Sequence, residues 1–450
     1  MNATNPDVSD QPLRIPGVSE YLRSLDRRVI AFFVLAVALC LADVLIPELV
    51  GGGKTKDYEL WFRTGRAVLD GGDIYAGRDD GLLSFLYPPF AAVLLAPFAL
   101  LGKPLMYAAL VLVNAAGWVV VVAATRTLCA FAPRDAASDV LPSLICSSLI
   151  FLTFDLGQPN LLLLAFILAG FVAIEADKKG LGGVLLGFTA AIKVFPVAIL
   201  FYLLARRQWR AATSMVVALT IFSVAVPALV LGPHTAASDL ARWSSAMTSV
   251  DEKVFGQRPN HNWSYRNQSL FALTHRLMRP IDAAESSTPQ GAFAINFVDL
   301  GFAGANRVYL ALCALIGAAF LVLLASDDPR RREVRVCELG VLLCLDVVAS
   351  PEAHDYYFVW LIFPIAALIG FARTAGAGPA RRAIIVALAG ALVSMALAIH
   401  GTPIIFPAYG CMLWAAAFLI FGSVFEIYAL PARAGRTLEV SPPPSAPLRL

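Results

Sequence analysis

The sequence predicts an all-α fold, a polytopic transmembrane helical bundle of about twelve spans. Two observations carry that prediction. Of the 450 residues, 58% are hydrophobic and only 15% are charged, against roughly 45–50% and 25% in a soluble domain. The apolar residues also fall into runs of span length, separated by short polar stretches in which Arg and Lys recur. The formal charge of +3 is too small to suggest a nucleic-acid partner.

A helix needs about 20 apolar residues to cross the hydrocarbon core. The runs read as spans are 29–50, 104–125, 138–155, 160–176, 181–193, 195–206, 211–231, 306–325, 336–350, 356–373, 382–400 and 404–429. The fifth and sixth are too short to cross alone and read as two half-length helices meeting at Lys193–Pro196, a break tolerated where the freed backbone lines a protein cavity. The polar residues before the first run lack a signal-peptide cleavage pattern. One further run, 85–101, carries Pro88, Pro89 and Pro97, which make it a poor straight helix.

Basic residues decide the topology, because cytoplasmic loops carry the excess of Arg and Lys. If 85–101 lies along or dips into the outer face without crossing, one side of the membrane receives Arg126 and Arg134, Lys178 and Lys179, Arg206, Arg207 and Arg210, Arg330 to Arg332 with Arg335, then Arg373, Arg381 and Arg382, and Arg433 and Arg436. If it crossed, the later clusters would all face outward. The expected organisation is a cytoplasmic segment 1–28, one membrane-embedded domain over 29–430 with outer loops 51–103 and 232–305, and a disordered cytoplasmic tail 431–450 (SPPPSAP).

On this map the unusual polar residues gather at the outer boundary. Lys56-Asp57-Tyr58-Glu59 and GRAVLDGGDIY (65–75) stand in the first loop. Asp155-Leu156-Gly157-Gln158-Pro159-Asn160 closes the third span, and Lys193 marks the break. Asn262 to Ser269 (NWSYRNQS) lies in the long loop, and Ser350-Pro351-Glu352-Ala353-His354-Asp355-Tyr356-Tyr357 ends the ninth span. Their convergence points to one shared cavity. Each also has a plainer reading. Asp57 suits a solvated loop, Gln158 and Asn160 suit a capped turn, and His354 suits a solvated corner. Tyr58, Trp61 and Trp263 suit the interfacial aromatic belt as well as a sugar-stacking surface. Asp79-Asp80 reads as a turn. Lys193 could snorkel to the interface, but a charge inside an apolar run is costly and usually functional. The seven cysteines, Cys40, Cys129, Cys146, Cys313, Cys337, Cys344 and Cys411, form no CxxC or Cys/His cluster and read as core thiols, so no metal or cofactor is expected.

The ordered set D-Y-x-x-W, G-R-A-x-x-x-G-G-D-x-Y, Y-P-P, G-Q-x-N, K-x-x-P, N-Q-S and S-P-x-x-x-D-Y, spread over about residues 29 to 430, resembles glycosyltransferase family 87. That resemblance implies a GT-C membrane enzyme of the cytoplasmic membrane. It would move a sugar, mannose or another hexose, from a polyprenyl-phosphate donor to an envelope lipid or glycan on the outer face, with inversion. It implies Asp57 as general base. Lys193, Arg266 and His354 become candidates for the phosphate, and Gln158, Asn160, Asn267 and Gln268 for sugar hydroxyls. Tyr87 with its prolines would shape a lateral opening for the lipid tail. Tyr58, Trp61, Arg66 and Asp355 complete the substrate-binding set. Where many relatives carry His, this chain has Tyr356-Tyr357, and its imidazole stands at His354. The rival reading is a transporter or lipid flippase, which would place its site near the midplane and commonly show repeated halves; no repeat is visible here.

Overall fold

The computed structural model describes residues 26–51, 56–76, 85–133, 135–248, 262–284, 293–327, 331–399 and 402–439, with backbone only at Lys56 and 431–439. The segment before 26, Asp79-Asp80, Arg134, Arg330 and the proline-rich tail lie outside the described residues. Within them the protein is helical, and the sole β feature is an isolated bridge between Asn267 and His354.

Helix α1 (Arg27–Val50) starts where the Asp26 carboxylate accepts from the Arg28 N–H at 2.8 Å and ends at Gly51. At 1.5 Å per residue its 24 residues suffice for a core of about 30 Å. α2 (Lys56–Asp70) and α3 (Pro89–Ala99) follow. The 11 residues of α3 reach only about 16 Å, so the proline-bearing run is too short to cross. α4 (Lys103–Leu128) is full length.

The third expected span is bent. α5 (Ala136–Ile145) and α6 (Ser147–Leu156) meet at 63°, with Pro142 removing a backbone donor one turn before the break. α7 (Asn160–Glu175) and α8 (Lys179–Ile192) come next. At Lys193 the backbone turns extended (φ −141, ψ 115), and Phe195–Ala198 forms a 3-10 turn leading into α9 (Ile199–Ala205). The broken helix expected at Lys193–Pro196 is therefore present. α10 runs over Trp209–Leu231. It packs so closely on α8 that a Cβ at Gly183 would fall 2.2 Å from the Ala211 carbonyl oxygen, the small-residue contact by which membrane helices approach.

The long loop holds α11 (Pro233–Thr248) and α12 (Leu270–Met278). Then come α13 (Gly301–Ser326), α14 (Arg332–Ala349), a 3-10 segment Asp355–Leu361 continuing as α15 (Ile362–Thr374), α16 (Pro379–Leu397) and α17 (Cys411–Glu439). The last helix runs past the expected boundary at 430. Before it, Ile405–Ala408 forms a separate single turn, which divides the expected span 404–429. Among the described residues, seven helices are long and apolar enough to cross a membrane, or eight if the bent pair is one span; the other expected spans are shorter or, like α14, carry charges. α14 is buried along most of its length, and it packs inside the bundle against α15 and α17.

Four arginines knit the basic loops into one end of the molecule. Arg206 binds Glu338 at 2.9 Å and also meets Asp327, while Arg335 meets Glu175 at 2.6 Å. Arg126 lies 3.4 Å from Asp139, and Arg373 donates to Asp135 at 2.9 Å. The loops carrying Arg126, Arg206, Arg335 and Arg373 thus share one face, as the charge pattern expects. The opposite end is formed by α2, α3, α11, α12 and the turns at 157–159, 193–195 and 350–354.

Candidate active site

A cavity of about 430 Å³ opens at that opposite end, walled by Trp61, Leu86, Pro88, Phe195, Trp243 and Met247 and faced by Asp57, Gln158, Lys193 and Glu352. Its polar groups come from separate segments, and local bonds hold each in place.

Asp57 lies in the first turn of α2. Two bonds from the buried face of that helix fasten it to the 154–158 turn: the Tyr58 hydroxyl donates to the Phe154 carbonyl at 2.7 Å, and the Trp61 indole N–H donates to the Gly157 carbonyl at 2.8 Å. Gly157 has φ +74, and a Cβ there would meet the Tyr58 ring at 2.9 Å, so the turn needs glycine for backbone and space alike. Gln158 emerges beside Asp57 and donates from Nε2 to Asp57 Oδ2. The Tyr87 hydroxyl donates to Gln158 Oε1 at 2.7 Å.

Lys193 is buried at the helix break. Its Nζ donates to Asn160 Oδ1 at 3.0 Å and lies 3.6 Å from the centre of the Tyr357 ring. The ring centres of Tyr87, Tyr356 and Phe195 lie 5.3, 5.8 and 5.9 Å away, so the ammonium sits in a partial aromatic cage. Asn160 in turn donates to the Tyr356 carbonyl at 3.0 Å and accepts the Trp360 indole N–H at 2.9 Å on its own carbonyl. Among the described residues no carboxylate stands within ion-pair distance of Lys193. Glu352 and Asp57 attract it from farther off.

The structure brings Asp57, Trp61, Tyr87, Gln158 and Lys193 to one cavity, with Asn160 directly behind Lys193. It does not bring the rest. Tyr58 is fully buried and commits its hydroxyl to Phe154. Arg66 lies farther along α2 and pairs with Asp70 at 2.8 Å, exposed. Asn267 is a buried clamp, donating to Asn262 and Pro351 carbonyls at 2.6 and 2.9 Å and accepting from the Ser269 and Ala353 N–H groups at 3.1 and 3.0 Å. Gln268 donates to the Pro407 carbonyl at 2.8 Å and accepts the Met412 N–H at 3.2 Å. Arg266 contacts Tyr265 at the surface, His354 stacks on Tyr356, and Asp355 opens the 3-10 segment; none of the three lines the cavity.

Several residues of the site were not among the candidates drawn from the sequence, although Glu352 stands inside the 350–357 segment singled out there. Glu352 faces the cavity because Asn267 and the Gln268 backbone hold the 351–353 corner. Trp243, Ser244, Met247 and Thr248 enter from α11. Trp243 donates to the Leu86 carbonyl at 3.0 Å, and Arg242 binds Asp73 through its guanidinium. Partial burial works against ionisation of Asp73, yet the bonds from Arg242 and the Tyr75 N–H hold its carboxyl below the usual range. The signal that could have found this wall is the lone Trp on an otherwise polar helix. Desolvation, then the charge of Arg279, push the loop's buried imidazole, His275, down to about 3.

The model of Glycosyltransferase family 87 matches residues 85–351. A polyprenol-phosphate-mannose-dependent alpha-(1-2)-phosphatidylinositol mannoside mannosyltransferase of Mycolicibacterium smegmatis is 31% identical over 350 residues, 70% of each chain. A protein of the same description from Mycobacterium tuberculosis is 27% identical over 342 residues, again 70% of each. The crystal structure of ArnT from Cupriavidus metallidurans bound to undecaprenyl phosphate aligns over 96% of this chain and 82% of that one, with 15% identity and a TM-score of 0.36, a remote likeness.

Proposed function

The chain belongs to glycosyltransferase family 87 and is a multi-pass membrane glycosyltransferase, and from that premise we propose that it transfers mannose from a polyprenyl-phosphate donor to an envelope lipid, with Asp57 as general base. The observation that supports this reading is the presence of Asp57 and Lys193 on one aromatic-walled cavity. Lys193 is a buried ammonium whose direct partners are an amide and aromatic rings. A donor phosphate would supply the anion such a cation calls for.

The chemistry asks little else of the protein. A sugar on phosphate already has a good leaving group, so no general acid is needed at neutral pH. A base must take the acceptor hydroxyl proton as the anomeric carbon becomes oxocarbenium-like. A cation must steady the phosphate as its charge grows. Asp57 and Lys193 can fill those two roles within the one cavity. Trp61, Tyr87, Tyr356 and Tyr357 offer flat surfaces for the sugar, and Glu352 offers a carboxylate for its hydroxyls. The matched stretch begins after Asp57, so the base assignment rests on the cavity and on the motif around it.

With the basic loops in the cytoplasm, the cavity opens on the outer face of the cytoplasmic membrane, where a lipid-linked donor and an envelope acceptor can both reach it. The test is transfer itself. Purified protein in nanodiscs receives radiolabelled polyprenyl-phosphate mannose and a phosphatidylinositol mannoside. Release of polyprenyl phosphate together with label in the acceptor is the expected result. Donor turnover with another sugar alone would overturn the mannose assignment, and transfer undiminished in Asp57→Asn would overturn the base.

A further inference from the structure

We propose that Gln158, oriented by Tyr87, is a positioning residue that fixes which oxygen of Asp57 takes the acceptor's proton. The inference rests on the reading of Asp57 as the general base.

A carboxamide has a donor end and an acceptor end, and its two seatings are nearly equal in shape. The ionised Asp57 carboxylate can only accept, so it takes the Nε2 end at Oδ2, and the Tyr87 hydroxyl, which donates to Gln158 Oε1 at 2.7 Å, holds that seating. Tyr87 is itself held, because the Tyr75 hydroxyl donates to its carbonyl at 2.9 Å and the Trp61 ring meets its ring edge-on at 5.0 Å. The backbone of Gln158 is fixed at the far side by the left-handed Gly157 and by the bonds that tie Tyr58 and Trp61 to the same turn. Gln158 is 3% exposed, so bulk water does not compete for its amide.

The Gln158 N–H occupies Oδ2, which reserves that oxygen and directs an incoming proton to Oδ1. In the transfer step the acceptor O–H bond breaks and its proton passes to Oδ1. The acceptor oxygen forms the new bond to the anomeric carbon. The bond from that carbon to the phosphate oxygen breaks, and its electron pair leaves with the polyprenyl phosphate. A charge-assisted bond also holds the carboxylate of Asp57, which lines the cavity, against rotation.

The full chain in nanodiscs is assayed with polyprenyl-phosphate mannose and a phosphatidylinositol mannoside. Gln158→Met lowers kcat about 10- to 100-fold while donor KM stays within about threefold. Tyr87→Phe moves kcat in the same direction. Gln158→Glu, the same shape with like charge against Asp57, loses turnover with donor KM held. In an Asp57→Asn background, Gln158→Met costs less than about twofold more, because it acts through the residue already removed. Parent-like kcat in Gln158→Glu, or the full loss persisting in the Asp57→Asn background, overturns the proposal. An infrared arm needs no substrate: the carboxylate band that disappears in Asp57→Asn shifts in Gln158→Met and Tyr87→Phe, and an unmoved band overturns the proposal. A silent parent enzyme, or an active Asp57→Asn, sinks the base reading instead, and the infrared arm still decides whether Gln158 holds Asp57.

Discussion

At the scale of single residues, the roles proposed for Asp57 and Lys193 make separable predictions. Asp57→Asn keeps shape and removes the ability to accept a proton, so turnover falls about 10²- to 10⁴-fold. Donor affinity, measured by displacement of labelled polyprenyl phosphate, stays near that of the parent. Lys193→Met does the reverse in binding: it keeps the apolar stem and removes the charge, so donor affinity falls, by about tenfold or more on the scale of a charge-assisted bond. Lys193→Arg does not restore it, because the longer, forked guanidinium is too large for the buried space in which the ammonium makes its 3.0 Å bond to Asn160. Parent-like donor affinity in Lys193→Met would remove it from the phosphate site. Lys193 was legible in the sequence because a cation in an apolar run has few bland explanations. The segment holding Glu352 was legible too, but not Glu352 itself as a site residue, since a carboxylate at a helix corner looks like every other solvated acid until the corner is folded.

At the scale of elements, the long loop shows why motif reading gathers more residues than the cavity does. NWSYRNQS is rich in the groups that bind sugars, and those same groups bind backbone. Arg276 is the centre of that arrangement: it is fully buried and donates to the carbonyls of Ala408, Ser264, Asn267 and Trp263 at 2.8, 2.7, 2.8 and 3.2 Å. Arg276→Leu leaves those acceptors unsatisfied and costs about 2–4 kcal/mol, which thermal denaturation in detergent detects as a lower Tm. An unchanged Tm would mean the loop is anchored elsewhere. The sequence offered no means of telling a carbonyl partner from a sugar partner, because Asn267 and Ser269 both find the carbonyl of Pro351, far along the chain. The broken helix at Lys193 was legible, since Pro196 and a charge mark it locally. The bend between α5 and α6 was missed although Pro142 stood in plain view, because a proline in a membrane helix is often accommodated.

At the scale of the whole molecule, the charge pattern carries the proposed orientation. A reporter fused after Arg331 is expected to read cytoplasm, and one inserted near Ser286, which lies outside the described residues, the outer side. The opposite result would put the cavity on the cytoplasmic side and remove access to an envelope acceptor. The pattern was legible because it depends on composition of loops, which sequence displays directly. The helical content of the outer region was less so. α2 and α11 each bury one face against the bundle end and show the other to solvent, so neither reads as a span, yet together they make much of the cavity's wall.

That wall has two grades of attachment. On one side α2 is fastened through buried bonds to the turn after α6. On the other, α11 meets the first loop through the indole bond to Leu86 and through Arg242 and Asp73, whose side chains are 47% and 46% exposed. An exposed ion pair is weak and is screened by salt. The residence time of bound lipid should therefore shorten as ionic strength rises, while the rate of the bond-making step, measured in a single turnover, holds constant. If the acceptor is a lipid, as proposed, a wall that loosens on one side only would let a water-insoluble product depart without disturbing the side that carries Asp57.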